Sequence, residues 1–245
     1  MSILTETQEV ARRTMTLFFV VDTSGSMAGS KIGAVNDAIV NVLPMLEDIS
    51  SSNPDAEIKV AALEFSTECS WLYDEPKLAQ DFKWIDMTAK QLTSLGGACR
   101  ELNKKLSRTG FMKTPSGSFA PAIILLSDGE PTDDYAGGLA ELKNNNWFKA
   151  AIKVAIAIGD DANKEELAKF TGTDEGVFTV HNIDALKQII RIVAVTSSQI
   201  GCKSSGVGSV TKQETVLVQV KESIADVKGA EVASEPSSLV DYDEW

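Results

Sequence analysis

The sequence contains few of the side chains on which most zinc sites and histidine-dependent catalysis rely. Its 245 residues include one histidine, His181, and three cysteines, Cys69, Cys99 and Cys202. Zinc sites and histidine-based triads need several such residues together, so both are unexpected here. The cysteines stand far apart without a CxxC spacing, which argues against a disulfide framework and favours a reducing cytoplasm.

Positive charge is also scarce. Lys and Arg number 23 against 35 Asp and Glu, which gives a formal net charge of −12. Without a basic stripe or a polybasic run, the sequence argues against binding to nucleic acid or to an anionic membrane. No apolar run approaches the ~18 residues that span a bilayer, and the first residues do not resemble a signal peptide. We therefore expect a soluble cytoplasmic protein.

The most informative stretch begins with an apolar run at residues 16–21, which is typical of a strand covered on both faces of a parallel sheet. Asp22 ends this run, and Ser24 and Ser26 follow on either side of Gly25. Taken alone, such a segment is also typical of a turn and a helix cap. At the carboxyl edge of an α/β sheet, however, it would bring three oxygen-bearing side chains to the usual ligand-binding position.

Strands and helices alternate along the rest of the chain. This order predicts an α/β fold with a doubly wound, mostly parallel central sheet, helices on both faces and one antiparallel edge strand near residues 69–73. Pro44 predicts a kink or break in a helix that begins near residue 30. We divide the chain into a leader (1–13), a domain (14–202) and an acidic, largely disordered tail (203–245), in which only residues 215–220 look like a strand.

A second aspartate, Asp128, follows the apolar strand predicted at residues 121–126, and Thr93 lies in a loop before a helix. If the strands that precede Asp22 and Asp128 are neighbours where the winding reverses, both carboxylates lie in one crevice. A divalent cation would relieve the repulsion between them. Oxygen ligands suit Mg²⁺, Mn²⁺ or Ca²⁺ better than zinc. The predicted metal ligands are Asp22, Ser24, Ser26, Thr93 and Asp128.

These residues resemble the metal-ion-dependent adhesion site (MIDAS) of von Willebrand factor A (vWA) domains. The family pattern is Asp-x-Ser-x-Ser, Thr-x-x-Gly-x-Ala and Asp-Gly, and it matches residues 22–26, 93–98 and 128–129 in that order. The resemblance covers about residues 15–200. The segment Ser-Asp-Gly-Glu-Pro-Thr-Asp at 127–133 is similar to short cytosolic bacterial vWA proteins of the TerY type, which are linked with tellurite and stress resistance.

The resemblance implies how the site works. Ser24, Ser26 and Thr93 would contact one divalent cation, for which Mg²⁺ is the first choice. One or both aspartates would bind the cation directly or through water. A carboxylate from a partner protein would fill the remaining position. The implied function is a non-enzymatic, cytosolic protein–protein interaction module in a bacterial stress, tellurite-resistance or kinase–phosphatase system, whose partner can be a kinase or a phosphatase.

Two further functions stay open at this point. The same site can serve phosphoryl transfer, or Ser24, Ser26 or Thr93 can accept phosphate from a partner kinase. Against catalysis, the site lacks a histidine, a lysine and a phosphate-cradling loop. Alternatively, Asp241 or Glu244 of the acidic tail can occupy the metal site of a second copy and produce self-association. The partner, the oligomeric state and the choice among Mg²⁺, Mn²⁺ and Ca²⁺ are not determined by the sequence.

The remaining polar residues have simpler interpretations. The pairs Asp133-Asp134 and Asp160-Asp161 are expected to be helix caps and turn acids. We expect Glu64 to be a solvent-facing or edge carboxylate and His181 to be a loop or cap residue. The three cysteines are expected to be small buried apolar residues.

Overall fold

A computed structural model describes residues 12–128, 130–203 and 211–232. The strands are β1 (Arg13–Asp22), β2 (Ala56–Phe65), β3 (Cys69–Trp71), β4 (Lys77–Leu78), β5 (Ala122–Ser127), β6 (Ile152–Ile158), β7 (Val177–Val180) and β8 (Ala230–Val232). The helices are α1 (Ser30–Ser52), α2 (Leu95–Lys105), α3 (Tyr135–Lys143), α4 (Asn146–Ala150), α5 (Lys164–Thr171), α6 (Ile183–Gly201) and α7 (Lys212–Ile224).

The described strands form one sheet in the order β3-β2-β1-β5-β6-β7-β8, with β4 also paired to β2. The five central strands are parallel, and the winding reverses between β1 and β5. This arrangement confirms the predicted doubly wound α/β fold. The predicted antiparallel edge strand is β3, and β4 and β8 are further antiparallel strands. Those two have only two and three residues, too few to give a periodic sequence signal.

Helices cover both faces of the sheet, which explains the unbroken apolar run of β1. Leu17, Phe19 and Val21 belong to the core beneath α1, α6 and α7. Phe18 and Val20 point to the other face and belong to the core beneath α2, α3, α4 and α5. Because both faces are buried, successive side chains of β1 must all be apolar. In the described part of the chain, no helix has the length and apolar character needed to cross a membrane.

Helix α1 continues through Pro44, where the sequence predicts a kink or break. Pro44 is exposed, whereas Leu43 and Leu46 on either side of it are buried against the sheet. Pro44 cannot donate to the carbonyl of Val40, and Val40 itself is 46% exposed, so water can reach this part of the helix. The buried apolar face therefore continues past the proline, and the helix does not end there.

Residues 211–232 form α7 and β8, which corrects the prediction of a largely disordered tail and of a strand at 215–220. Thr211 and Glu214 form a capping box at the start of α7. The buried residues of α7 are Val216, Leu217, Val220 and Ile224, at helical spacing. Residues 1–11, 204–210 and 233–245 lie outside the described residues, as do the predictions made for them. Strand β1 begins at Arg13, the last residue assigned to the leader.

Candidate metal centre

The two predicted aspartates lie at the same edge of the sheet because β1 and β5 are adjacent and parallel. Asp22 is the last residue of β1, and Asp128 follows Ser127, the last residue of β5. The Ser127 hydroxyl donates a hydrogen bond of 2.6 Å to Oδ2 of Asp22 and so joins the two strand ends. Both aspartates are buried. Gly129, the next residue of the predicted motif, lies outside the described residues.

The turn after β1 folds back on Asp22. The Ser24 N–H donates to Asp22 Oδ1 at 2.8 Å, and the hydroxyls of Ser24 and Ser26 are hydrogen bonded at 3.0 Å. Ser24 is buried and Ser26 is exposed. Three of the predicted ligands are thus connected by hydrogen bonds within one short turn.

A second loop, residues 90–93, is attached to this turn through the backbone. The Lys90 N–H donates to the Thr23 carbonyl at 2.6 Å, and the Gly25 N–H donates to the Gln91 carbonyl at 3.2 Å. These bonds bring Thr93 to the same edge of the sheet. Thr93 is 5% exposed.

Thr93 is also tied to the segment that follows β5. Its N–H donates to Thr132 Oγ1 at 3.1 Å, and the Thr132 N–H donates to the Thr93 carbonyl at 2.9 Å. The neighbouring Asp133 accepts hydrogen bonds from the N–H groups of Gly96 and Gly97, at 2.9 and 2.8 Å, in the first turn of α2. Asp133 is therefore a helix cap, as the sequence predicts. The three segments that carry the predicted ligands form one connected network.

The electrostatics of the two aspartates differ. The pKa of Asp22 is raised to about 6, mainly by burial. Hydrogen bonds from Ser127 and Ser24 act in the opposite direction, and the nearby charge of Asp128 adds to the rise. Oδ1 of Asp128 is buried and has no hydrogen-bond partner among the described residues. Burying a carboxylate oxygen without a partner is costly, and the cost grows when a second carboxylate is close.

The residues present fit a hard divalent cation. Two carboxylates and three hydroxyls provide only oxygen donors, and a cation would give Asp128 Oδ1 the partner it lacks. The described residues contain no group of three or more His, Cys, Asp or Glu that could hold a metal. An ion at this edge would therefore depend on Ser24, Ser26 and Thr93 as well as on the aspartates.

Other polar residues near this edge have structural roles. Asp134 accepts from the Gly137 N–H, caps α3 and pairs with Arg100 at 2.6 Å. Glu64 is partly buried on β2 and pairs with Lys90 at 2.9 Å.

His181 does not cap α6, since Asn182 does. The imidazole Nδ1 of His181 contacts Asp160 Oδ1, and its Nε2 lies 3.7 Å from Glu231 of β8. Asp160 therefore helps to hold the histidine that follows β7, in addition to lying in the turn after β6.

The cysteines behave as small apolar residues. All three are free, Cys99 and Cys202 are buried, and Cys69 is half-buried. Burial raises the pKa of Cys69 and of Cys202 to about 11, which leaves both thiols protonated and poorly nucleophilic at neutral pH.

Sequence reasoning misses Ser127 and Thr132, which join the ligand-bearing segments to one another. The sequence gives a weak indication for Ser127, because this residue stands between a predicted buried strand and a predicted metal ligand. It gives no indication for Thr132, since the contact of Thr132 with Thr93 spans 39 residues.

The sequence profile of the von Willebrand factor type A domain matches residues 16–192. The chain belongs to the von Willebrand factor type A family. The matched part of this vWA domain includes every predicted metal ligand and the sheet from residue 16 of β1 to β7.

Two collagen chains are relatives in sequence. The mouse collagen alpha-6(VI) chain is 25% identical over 194 residues, which covers 76% of this chain and 8% of the collagen chain. The human collagen alpha-6(VI) chain is 27% identical over 114 residues, covering 45% of this chain and 5% of the collagen chain. The vWA protein thus spans less than a tenth of the length of these curated relatives.

Solved structures share the fold at low identity. A von Willebrand factor type A protein from Catenulispora acidiphila has a TM-score of 0.56 and 18% identity, with 76% of this chain and 43% of that chain covered. Proximal thread matrix protein 1 of the mussel byssus, solved with a zinc-occupied MIDAS motif, has a TM-score of 0.53 and 18% identity, with coverage of 78% and 46%. The chain spans less than half of either protein.

Proposed function

We propose that this vWA domain is a metal-dependent protein–protein interaction module. Asp22, Ser24, Ser26, Thr93 and Asp128 hold one divalent cation, and a carboxylate of a partner protein completes its coordination. The observation that carries the proposal is the buried Asp128 Oδ1, which has no hydrogen-bond partner among the described residues and lies near the buried Asp22.

The exposure of the ligands supports an approach from outside. Asp22, Ser24, Thr93 and Asp128 are buried, whereas Ser26 is exposed. A partner would reach the cation from the side of Ser26. Mg²⁺ takes about six oxygen ligands and gives up its water reluctantly, so an anionic oxygen is the partner group with the strongest tendency to displace that water.

Mg²⁺ is the ion we propose, with Mn²⁺ and Ca²⁺ as the alternatives. An all-oxygen donor set favours hard cations over zinc. The mussel protein with zinc in its MIDAS motif supports a divalent cation in this fold without determining its identity here. Isothermal titration of the metal-free protein with each ion ranks them, and tighter binding of Ca²⁺ than of Mg²⁺ would contradict the choice.

We also propose a setting for the module. The similarity of residues 127–133 to TerY-type proteins supports a role in a bacterial stress or tellurite-resistance system, with a kinase or phosphatase as the partner. Three free cysteines support a cytoplasmic location, because a reducing compartment keeps thiols unpaired.

The experiment that tests the interaction is affinity capture with the wild-type protein and Asp22→Ala, each in Mg²⁺ and in EDTA. Glu222→Ala, an exposed acid on α7, is the matched control. We expect a set of partners that is captured by the wild type and the control in Mg²⁺ and is lost both in EDTA and in Asp22→Ala. Partners that stay bound in EDTA and in Asp22→Ala would show that the site does not hold them.

We propose that the module is not an enzyme, since neither a histidine nor a lysine is among the proposed ligands. Incubation with generic phosphoesters and Mg²⁺ should give no turnover above background. Turnover that disappears in Asp128→Ala would replace the binding function with phosphoryl transfer.

A further inference from the structure

Three cationic side chains lie together at the amino edge of the sheet, where the parallel strands begin and which is opposite the proposed metal site. Arg13 is the first residue of β1, Arg12 precedes it, and Lys212 is the first residue of α7. The guanidinium carbon of Arg13 lies 3.9 Å from the ring centroid of Phe119, and the Lys212 ammonium lies 4.9 Å from the same centroid. The charges of Lys212 and Arg12 both counteract the rise that burial causes in the pKa of Cys202. These three residues, the cationic cluster, are therefore neighbours in a chain whose formal net charge is −12.

Backbone carbonyls hold the three cations in place. Arg12 donates to the carbonyl of Ser50 in the last turn of α1, and Lys212 donates to that of Gly201, the last residue of α6, at 2.7 Å. Arg13 donates to a carbonyl in the loop before β5 at 2.8 Å. Cations stabilise helix C-termini, so these contacts explain why the side chains are ordered. A carbonyl has only a partial negative charge, however, and in the described part of the chain no carboxylate pairs with Arg12, Arg13 or Lys212.

The positive charge of the cationic cluster is open to solvent and is not compensated. Arg12 and Arg13 are exposed, and Lys212 is half-buried. The pKa of Lys212 is lowered, mainly by burial, and the charge of Arg13 adds to the fall. An anion placed between these cations would relieve their repulsion, and cations that are already ordered lose little entropy when it binds. The surface therefore fits a segment that carries several carboxylates.

Such a segment follows β8 in the same chain. Residues 233–245 contain no lysine or arginine and four acids, which are Glu235, Asp241, Asp243 and Glu244. Strand β8 is antiparallel to β7, so the chain leaves Val232 in the direction of the amino edge, where the cationic cluster lies. The charge of the segment and the direction of β8 both favour the cationic cluster as its binding surface.

The register of the sheet gives the distance that this segment would have to cover. Through the paired strands, Val232 is level with Val21 of β1. Arg13 lies eight residues before Val21, which is roughly 26 Å along the strand. Four strand spacings separate β8 from β1, which is roughly 19 Å across the sheet. The direct distance from Val232 to the cationic cluster is therefore about 33 Å.

This distance selects among the acids of the segment. An extended chain spans about 3.3–3.6 Å per residue, so eleven or twelve residues cover about 36–43 Å. Asp243 and Glu244 stand eleven and twelve positions after Val232 and can reach the cationic cluster. Glu235 stands three positions after Val232 and cannot reach it.

We propose that Asp243 and Glu244 dock on the cationic cluster of their own chain. Their carboxylates pair with Arg12, Arg13 and Lys212 at the edge of the sheet opposite the metal site. Acids held there do not occupy a metal site, either of the same chain or of a second copy. The contact requires no metal, so the inference is independent of the proposed function.

NMR spectroscopy of the isotope-labelled full chain tests this docking. Backbone amide signals are compared between the wild type, the double variant Asp243→Asn/Glu244→Gln and Glu235→Gln, the control that removes an acid without the necessary reach. They are also compared between Arg13→Gln and Lys149→Gln, which removes an exposed cation of α4 on the other face of the sheet. All spectra are recorded in Mg²⁺ and in EDTA, and at several protein concentrations.

We expect the amide signals of Arg13 and Lys212 to shift in the double variant and to stay in place in Glu235→Gln. The signals of residues 240–245 should shift in Arg13→Gln and in about 1 M NaCl, where the Debye length falls to about 3 Å, but not in Lys149→Gln. These shifts should be the same in Mg²⁺ and in EDTA and at every protein concentration, because the contact lies within one chain and away from the metal site.

Three results would overturn the inference. If the signals of Arg13 and Lys212 do not move in the double variant, or the signals of residues 240–245 respond equally to Arg13→Gln and Lys149→Gln, the cationic cluster does not hold these acids. Shifts that grow with protein concentration would mean that the acids dock on a second copy. Signals of residues 240–245 that respond to Mg²⁺ and not to Arg13→Gln would place the acids at the metal site instead. The double variant alters only residues beyond β8, so its result stands even if Arg13→Gln fails to fold.

Discussion

At the residue scale, two buried carboxylates lie at one edge of the sheet, an unfavourable arrangement when no metal is bound. Asp22 is hydrogen bonded by Ser24 and Ser127, but its pKa is still raised to about 6. Asp128 has one oxygen with no partner among the described residues. The charge of Asp128 opposes ionisation of Asp22, so the same geometry that favours a dication lowers stability when no dication is bound.

Replacing Asp128 by asparagine should therefore have opposite effects in the absence and presence of Mg²⁺. Asp128→Asn keeps the shape of the side chain and removes one of the two charges. In EDTA we expect it to raise the free energy of unfolding by about 1–3 kcal/mol, since it removes a carboxylate that lies close to Asp22 and whose buried Oδ1 has no partner among the described residues. In Mg²⁺ the variant should be less stable than the wild type, because the ion raises the free energy of unfolding of the wild type alone. Urea unfolding under both conditions measures this, and a loss of stability in EDTA would contradict the prediction.

The raised pKa of Asp22 also predicts a pH dependence of the metal-free protein. In the unfolded chain Asp22 loses its proton near 3.8, whereas in the folded chain it does so near 6. Between these values the folded state binds more protons at Asp22, so the contribution of this residue to stability falls as pH rises from about 4 to about 6 and is constant above that. The shift corresponds to about 3 kcal/mol.

Comparison with Asp22→Asn isolates this effect from other groups that titrate in the same range. Urea unfolding in EDTA at several pH values should show the difference between the wild type and the variant shrinking as pH falls from 7 towards 4. Mg²⁺ affinity should weaken over the same interval, because protons compete for the carboxylate. A difference that stays constant with pH would contradict the assignment.

At the scale of secondary structure, the strength of the sequence signal decides what can be predicted. The short apolar runs at residues 152–158 and 177–180 stand between turn residues and so predict two buried strands. Strands β6 and β7 have these bounds. The sequence pattern predicts one helix over about residues 135–146, but α3 ends at Lys143 and a separate helix, α4, begins at Asn146. The side chain of Asn145 caps the start of α4. Such a cap depends on local hydrogen bonds that the apolar pattern does not record.

Helix α7 shows where composition is misleading. The acidic residues from 206 onwards indicate disorder, and the valines at 216, 218 and 220 alternate as in a strand. The structure forms a helix because the capping box fixes its start, and because Gln213 bonds both backbone groups of Lys153, at 2.6 and 2.7 Å. The hydrogen bonds between Gln213 and Lys153 join residues 60 positions apart, which no local sequence pattern can reveal.

A pair of valines tests whether α7 is packed against the domain. Val220 is fully buried and Val218 is 56% exposed on the same helix. We expect Val220→Ala to lower the free energy of unfolding by about 2 kcal/mol, through lost burial and the cavity left behind. Val218→Ala should change it by less than about 0.5 kcal/mol. Equal, small effects in chemical denaturation would mean that α7 does not contribute to the core.

The contact between α2 and α3 depends on two glycines and controls the position of Thr93. A Cβ on Gly138 would lie 2.4 Å from the carbonyl oxygen of Gly96, so a side chain there must push the helices apart. The loop that carries Thr93 leads directly into α2. The close approach of the two helices thus helps to place a predicted metal ligand.

Gly138→Ala should therefore cost about 1–3 kcal/mol of stability and weaken Mg²⁺ binding as well. Gly33→Ala is the matched control: it lies on the exposed face of α1, where a Cβ meets nothing within 4 Å. That variant should raise stability by up to about 1 kcal/mol, because alanine favours a helix, and leave Mg²⁺ affinity unchanged. Thermal denaturation and calorimetric titration distinguish the two. Unchanged Mg²⁺ affinity in Gly138→Ala would show that the packing of α2 against α3 does not control the geometry of the metal site.

For the whole molecule, the predicted ligands come from three segments far apart in the chain. Residues 22–26 follow β1, Thr93 precedes α2, and Asp128 follows β5. An ion that binds all three is bound only by the folded chain, because the unfolded chain does not hold these side chains together. Metal binding should then stabilise the entire domain and not one loop.

Mg²⁺ at about 100 times its dissociation constant should raise the free energy of unfolding by about 2.7 kcal/mol relative to EDTA. The rise should continue with the logarithm of Mg²⁺ concentration, because only the folded state binds the ion. Ser24→Ala and Thr93→Ala should each reduce the rise, although the two residues lie 69 positions apart. Glu222→Ala on α7 should retain it in full. Calorimetric unfolding across a Mg²⁺ series measures all four proteins. If Thr93→Ala keeps the wild-type dependence while Ser24→Ala loses it, the ion is held without Thr93, and the loop before α2 has no part in the site.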